Sequence, residues 1–175
     1  MKDYLIHKSQ IIIDYQDLMI RDLYLAHSYF KKNFPNNDST WAYKYYNIFS
    51  VTSPSPTFYT LFKDLSLLIR EYVNHDRPLW MQSWLNYHMP DEVLDWHGHN
   101  WSHHGYISID PKKTKTVFEE YEINNEIGNI YIGPGARLHK VEVLETFSSP
   151  RITIGFDITD EPNIPNEQFS LVPVL

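Results

Sequence analysis

The sequence predicts a mainly β protein, a sandwich or barrel for which jelly-roll topology is the natural candidate, with N-terminal helices packed on one sheet. Two observations predict this fold class. None of the six glycines precedes Gly98, and beyond Pro78 short segments of alternating apolar and polar residues are separated by turn sequences, which is typical of strands. In the first half the apolar residues instead recur every three to four positions, as in helices.

The first half contains two predicted helices. Residues 17–34 form the first, which ends before Pro35. The second begins at Phe58, with Thr57 as its predicted N-cap, and carries an apolar stripe along one side. The apolar run 11–13 has the length of a short strand.

The second half contains seven predicted strands. Turn sequences rich in Gly, Pro, Asn, Asp and Ser separate them, which indicates an antiparallel arrangement with short connections. The predicted strands are 79–88, 93–97, 105–109, 116–121, 128–132, 138–144 and 151–158.

Length and composition predict a single domain over residues 1–175. Within it, residues 1–77 are predicted to be mostly helical support, 78–160 the β-barrel core and 161–175 a C-terminal tail. The net charge of −7 argues against nucleic acid as a partner, and the absence of cysteine excludes disulfides, thiolate metal sites and a cysteine nucleophile.

The N-terminus does not have the pattern of a signal peptide, and no segment has the length and hydropathy of a membrane span. We therefore expect a cytoplasmic protein without a membrane partner. The sequence leaves the oligomeric state open, a homodimer included.

Four of the nine histidines fall within the eight residues that begin at His97. Because residues two apart on a strand project from the same face, His97 and His99 are predicted to reach one metal ion together. Imidazole is a ligand for iron, zinc, copper and nickel. A third ligand has to come from elsewhere in the fold, and His139, which follows a Gly-Pro-Gly turn, is the candidate. For His103 and His104 we prefer a position in a loop to one lining the pocket.

The last predicted strand has one apolar face, and Arg151, Thr153 and Gly155 share the other. If that polar face points into the barrel, the guanidinium of Arg151 requires an anionic partner. One candidate is a ligand carboxylate held by two hydrogen bonds, with the Thr153 hydroxyl adding a third. The other is an internal salt bridge to an acidic residue.

The order of these residues resembles the Fe(II)/2-oxoglutarate-dependent dioxygenases, in which His-x-Asp/Glu, a distant His and then Arg-x-Ser follow one another on a double-stranded β-helix. Here His97 and His99 are followed by His139, and twelve residues later by Arg151 and Thr153. The resemblance covers about residues 84–158. It implies that the histidines bind Fe(II) and that Arg151 and Thr153 hold the C5 carboxylate of the cosubstrate 2-oxoglutarate.

Some members of that family also contact the cosubstrate through an Asn-x-Tyr pair on the first strand. By this likeness Asn86 is a further candidate for cosubstrate binding, and His88 a weaker one. The activity that the resemblance implies is oxidative decarboxylation of 2-oxoglutarate coupled to oxidation of a C–H bond, most often hydroxylation. The sequence does not identify the primary substrate.

One position departs from the family pattern, because His99 stands where the family has its metal-binding carboxylate. Three explanations remain open. In the first, His99 binds the metal directly in a three-histidine site. In the second, the carboxylate of Asp95 binds the metal instead of His99, or forms a hydrogen bond to one of the metal ligands. In the third, the likeness is structural and the activity has changed. We adopt the first.

Two other functions compete with the oxygenase. A cupin-type metalloprotein, either an isomerase or a dioxygenase that needs no 2-oxoglutarate, would use the same three histidines, with His103 or His104 where cupins commonly have glutamate. Arg151 favours the oxygenase, because cupins require no arginine there. The third candidate, from a different class, is a non-catalytic ligand- or sugar-binding barrel in which tryptophans would stack on the ligand: Trp80, Trp84, Trp96 and Trp101.

Overall fold

The computed structural model describes residues 3–35, 38–160 and 170–175. Within these ranges the elements follow one another as β1 (Leu5–Lys8), α1 (Gln10–Asp14), α2 (Gln16–Asn33), α3 (Ile48–Val51), α4 (Pro56–Val73), β2 (Trp80–His88), β3 (His103–Asp110), β4 (Thr114–Phe118), β5 (Glu122–Asn124), β6 (Asn129–Pro134), β7 (His139–Val143), β8 (Arg151–Thr159) and β9 (Val172–Pro173).

The strands form two antiparallel sheets. The larger has the order β1-β6-β3-β8-β2-β9, and the smaller has the order β5-β4-β7. The predicted β class with antiparallel pairing and N-terminal helices is therefore confirmed. Closure of the strands into one barrel is not seen in the described part of the chain, where each strand belongs to one sheet or the other.

The helices cover one face of the six-stranded sheet. Apolar residues of α2 and α4 share one buried core with alternate residues of the central strand β8, namely Ile152, Ile154, Phe156 and Ile158. Because side chains alternate along a strand, this packing turns Arg151, Thr153 and Gly155 to the opposite face, towards the three-stranded sheet. The helical core thus determines which face of β8 is available for function.

The helix predictions are confirmed for α2 and α4, with one correction at the start of α4. The N-cap is Ser55 and not Thr57, because Pro56 occupies the first helical position, where its fixed φ and missing N–H suit a helix start. Thr57 lies in the first turn, and its hydroxyl is 2.9 Å from that of Ser55.

One strand prediction is wrong, and one strand-sized apolar run is helical. Residues 93–97 form no strand, because this segment makes a single bridge, from His97 to His139, and otherwise runs irregularly. The apolar run 11–13 belongs to helix α1, where Ile12 is fully buried against the helical core. Short apolar runs do not by themselves distinguish a strand from a buried helical turn.

The chain ends contribute to the large sheet. Strand β1 pairs with β6, so residues 1–77 are not purely helical. In the predicted tail, residues 161–169 lie outside the described residues, and β9 pairs with the start of β2. In the part of the chain that the structure describes, no helix combines the length and hydropathy that crossing a bilayer requires.

Candidate metal centre

The three predicted metal ligands lie together between the two sheets. The backbones of His97 and His139 exchange two hydrogen bonds of 2.9 Å, and the N–H of His99 donates to the carbonyl of Gly135 at 3.0 Å. One ring nitrogen from each histidine lies within 4.8 Å of the corresponding atoms of the other two. The ring centroids are 4.2 Å apart for His97 and His139 and 5.4 Å apart for the other two pairs.

Each of these three rings uses its Nδ1 for a hydrogen bond to oxygen. The acceptors are the carbonyl of Asp95 for His97 at 2.6 Å, the carboxylate of Asp157 for His99 at 3.1 Å and the carbonyl of Arg137 for His139 at 3.1 Å. Such partners place the proton on Nδ1 and leave the lone pair on Nε2. Nε2 of His99 is buried and has no hydrogen-bond partner among the described residues. The donor set therefore fits a metal ion.

The environment favours the neutral form of His97 and His139, which is the form that binds a metal. Burial, together with the neighbouring His104 and His97, lowers the pKa of His139 to about 2. Burial also lowers the pKa of His97.

The site contains a buried carboxylate that the sequence analysis missed. Asp157 is 3% exposed and accepts hydrogen bonds from Nδ1 of His99 at 3.1 Å and from Nδ1 of His104 at 2.9 Å. Burial raises the pKa of Asp157, while the hydrogen bond from His99 lowers it. The alternation along β8 was the available signal, because Asp157 shares the face of Arg151 and Gly155.

His104 lies in strand β3 and lines the cavity, so the preferred loop position was wrong. Its ring is nearly parallel to that of His99, with centroids 3.8 Å apart and an interplanar angle of 11°. Its Nδ1 is 2.9 Å from the carboxylate of Asp157, and His99, His104 and Asp157 form a second group whose ligand atoms lie within 4.8 Å of one another. Together with Asp157, His104 holds the ring of His99 in place.

Two other acidic or histidine candidates point elsewhere. The carboxylate of Asp95 is exposed and accepts the N–H of Trp96 at 2.8 Å, so only the backbone carbonyl of Asp95 reaches the cluster. His103 also belongs to β3, and its ring packs edge-on against Tyr72 with centroids 5.5 Å apart.

Arg151 lies on the same sheet face and is 4% exposed. Its Nε has no hydrogen-bond partner, and no carboxylate of the described ranges forms a salt bridge with it. Burial lowers the pKa of Arg151 to about 10, as expected for a buried cation without a counter-charge. The internal salt bridge that the sequence left open is not seen, so the guanidinium is available to an anion.

The residues around Arg151 form a polar pocket. Nδ2 of Asn86 donates to Oγ1 of Thr153 at 3.2 Å, which leaves the Thr153 hydroxyl proton to donate to another acceptor. His88 lies opposite Arg151 in the β2–β8 pairing, and its Nε2 is 2.8 Å from the hydroxyl of Thr40.

A small inner cavity joins the histidines to this polar pocket. Its volume of about 30 Å³ is close to the space that one water molecule occupies in the liquid. His88 is not among its lining residues, which are Trp84, Asn86, Leu94, His97, His99, His104, Tyr106, Thr116, His139, Val141, Arg151, Thr153 and Gly155.

A larger outer cavity of about 280 Å³ adjoins the inner one. The two share four lining residues, Trp84, Leu94, His97 and His99. The arrangement therefore offers a cluster of imidazoles between a small inner cavity that contains the Arg151 guanidinium and a wider outer cavity.

No protein-family model matches the chain, and no curated protein matches its sequence. Among solved structures the chain is similar to SnoN, a non-heme α-ketoglutarate-dependent epimerase from nogalamycin biosynthesis, with 10% identity, a TM-score of 0.54, and coverage of 90% of this chain and 76% of that one. This likeness concerns the fold.

Two further solved structures resemble the chain more distantly. An oxidoreductase of the 2OG-Fe(II) oxygenase family from Burkholderia pseudomallei is 11% identical over 66% of this chain, with a TM-score of 0.49. The chain spans 64% of the length of that protein. A cupin-2 domain protein from Shewanella frigidimarina is 18% identical over 50% of this chain and 89% of its own, with a TM-score of 0.34.

Proposed function

We propose that this protein is an Fe(II)- and 2-oxoglutarate-dependent dioxygenase built on a jelly-roll arrangement of its two sheets. One observation carries the proposal. A cluster of three imidazoles, one of which has a buried, unpartnered Nε2, lies on the same cavity as Arg151, a buried cation to which no described carboxylate is paired. A metal ion would bind the unpartnered Nε2, and an anion would balance the charge of Arg151.

In this proposal His97, His99 and His139 hold the metal through Nε2, since each Nδ1 already donates to an oxygen. When bound, Fe(II) with 2-oxoglutarate and oxygen supplies the oxidising chemistry. The protein orients these groups, and the buried walls of the inner cavity exclude water from them.

Asp157 accounts for the missing carboxylate ligand. A site of three neutral imidazoles lacks the negative charge that a ligating carboxylate would bring. Asp157 places a carboxylate one hydrogen bond behind His99. This partner makes Nε2 of His99 a stronger ligand for the metal and fixes the orientation of the ring. We therefore assign Asp157 to positioning and charge compensation and His99 to ligation.

Arg151 and Thr153 bind the distal carboxylate of 2-oxoglutarate in this account. The planar guanidinium suits two parallel hydrogen bonds, and the Thr153 hydroxyl, held by Asn86, donates a third. The inner cavity is too small for a five-carbon dicarboxylate as it stands, so binding requires its side chains to move apart.

Anaerobic titration with Fe(II) and 2-oxoglutarate tests the proposal through the visible charge-transfer band of the iron–keto acid chelate. We expect a band that saturates at one equivalent of each. Arg151→Ala weakens 2-oxoglutarate binding with little loss of iron, because Arg151 does not touch the metal, whereas His139→Ala abolishes iron binding. Arg77→Ala, which removes an exposed arginine, is the matched control. Equal loss of iron and cosubstrate in Arg151→Ala contradicts the assignment.

The small volume of the inner cavity favours a second candidate, a cupin-type metalloprotein that does not use 2-oxoglutarate. In that case Arg151 contacts an anionic group of the substrate itself. The same titration separates the two candidates, because this one predicts stoichiometric iron binding without the charge-transfer band.

A further inference from the structure

The outer cavity contains a buried amide without a partner. Gln82 is 1% exposed, lies on the cavity face of β2, and its Oε1 forms no hydrogen bond with the described residues. A buried carbonyl oxygen left unpaired lowers the stability of the folded protein, so a ligand that donates to it accounts for glutamine at this position.

The walls of the outer cavity are largely aromatic. Trp84 and Trp101 form part of the wall together with Tyr43, and Trp41, which is 57% exposed, lies at the cavity edge. Gly155 permits the close approach of Trp84 to β8, because a Cβ there would lie 2.5 Å from the indole ring. Such walls favour a flat, ring-shaped ligand.

Electrostatics excludes an anion from this cavity. None of its described lining residues is Lys or Arg, and the one charged residue among them is Asp157. The carboxylate of Asp157 is within hydrogen-bond distance of His99 and His104, and its negative charge repels an anion.

The polar groups are also too few for a sugar. The hydroxyl of Thr40 already contacts Asn86 and His88, which leaves the side-chain amides of Gln82 and Asn100 and the Nε2 atoms of His97 and His99, and those two histidines are assigned to the metal. A sugar presents several hydroxyls that each require a partner, whereas an aromatic ring with a single donor group needs one. The volume of about 280 Å³ lies at the low end for small-molecule sites and suits one ring.

We propose that the outer cavity binds the molecule to be oxidised, and that this molecule is a small, non-anionic aromatic alcohol or amine whose O–H or N–H donates to Gln82. The inference rests on the proposed function, because the cavity shares His97 and His99 with the candidate metal site. It assigns the substrate class that the sequence left undetermined.

Titration of the full chain without added metal or 2-oxoglutarate tests the inference. The probes are benzyl alcohol, benzyl methyl ether, benzoate and methyl β-glucoside, followed through the indole N–H signals of Trp84 and Trp101 in ¹⁵N-correlated NMR spectra. We expect benzyl alcohol to bind most tightly, roughly five-fold more so than the ether, which lacks the donor.

Gln82→Leu removes that five-fold preference for the alcohol, and Gln10→Leu, a matched change at an exposed site in α1, retains it. Tighter binding of benzoate or of the glucoside overturns the inference, as does an unchanged preference in Gln82→Leu or the absence of binding by benzyl alcohol. If Gln82→Leu fails to fold, the ranking of the four probes on the unmodified protein decides. Because no metal or cosubstrate is present, failure here is distinguishable from failure of the proposed oxygenase activity.

Discussion

The carboxylate of Asp157 and the ring of His99 together occupy the role that a single ligating carboxylate would have. The ring lies between the carboxylate and the open side of the cluster, with Nδ1 towards Asp157 and the unpartnered Nε2 on the other side. His104 covers one face of that ring and shares the same carboxylate. The orientation of His99 is therefore fixed by two neighbouring strands.

Asp157→Asn is expected to weaken metal binding by about ten- to a hundred-fold, because it removes the charge behind His99 and one of two acceptors. Chelator competition with Fe(II) or Zn²⁺ measures this. Asp160→Asn, the same change three residues away at a residue that pairs with Arg77, is the control. Equal affinities in the two variants would show that Asp157 does not act on the metal.

Arg151→Met is expected to stabilise the ligand-free protein while abolishing its response to 2-oxoglutarate. The side chain is buried without a counter-charge, so an apolar replacement of similar length removes an uncompensated desolvation cost, for a gain of about 1 kcal/mol in the free energy of unfolding. Urea denaturation with and without 2-oxoglutarate measures both effects. A loss of stability would mean that Arg151 has a structural partner.

At the scale of elements, the turn between β6 and β7 holds the backbone of the segment that carries His99. Gly135 accepts the N–H of His99 through its carbonyl, and a Cβ on Gly135 would lie 2.0 Å from the carbonyl oxygen of Trp101. The turn and the segment that carries His99 therefore require glycine at this contact.

Gly135→Ala is expected to reduce metal affinity at least ten-fold with little change in far-UV circular dichroism, because the Cβ displaces the segment that carries His99. Calorimetric titration with Zn²⁺ measures the affinity. Ala136→Ser, on the exposed side of the same turn, is the control and should bind as the unmodified protein does. Unchanged metal affinity in Gly135→Ala would show that the turn does not position His99 for the metal.

The same elements show what the sequence could predict. The alternation in β8 predicted its buried face and the position of Arg151, because an apolar face against helices leaves a strong period of two. The segment 93–97 was predicted as a strand on the same period, but one bridge to His139 determines its course. Tertiary contacts of this kind leave no local pattern, and neither does the contact of Asp157 with two histidines from different segments.

At the scale of the whole molecule, buried neutral histidines make stability depend on pH. Burial lowers the pKa of His139 to about 2 and that of His104 well below its usual value. In the unfolded chain both bind a proton near pH 6.5, so below this pH the unfolded state binds protons that the native state does not. The raised pKa of Asp157 acts in the opposite direction, but burial also lowers the pKa of His88, His97 and His103, which act in the same direction as His104 and His139.

The metal-free protein is therefore expected to lose stability as the pH falls from 7 to 5, by up to about 1.4 kcal/mol per pH unit for each histidine. Urea denaturation in the presence of a chelator at several pH values measures the slope. A free energy of unfolding that is constant or higher at pH 5 would show that these histidines are protonated in the native state.

At this scale the sequence predicted the set of site residues and the two-sheet arrangement, but not the shortest strands or the size of the cavities. The order of His97, His99, His139 and Arg151 along the chain predicted a set of residues that the structure brings onto one cavity. The paired sheets follow from glycine placement and turn sequences, while β1, β5 and β9 were missed because each is very short. Cavity size depends on the packing of both sheets at once, which no single segment encodes.

A crystal structure of the protein grown anaerobically with Fe(II) and 2-oxoglutarate, with anomalous data at the iron edge, tests the central claim most directly. We predict one anomalous peak bound by Nε2 of His97, His99 and His139, with the distal carboxylate of 2-oxoglutarate on Arg151 and Thr153. Iron bound by Asp157, or 2-oxoglutarate bound away from Arg151, would contradict the account.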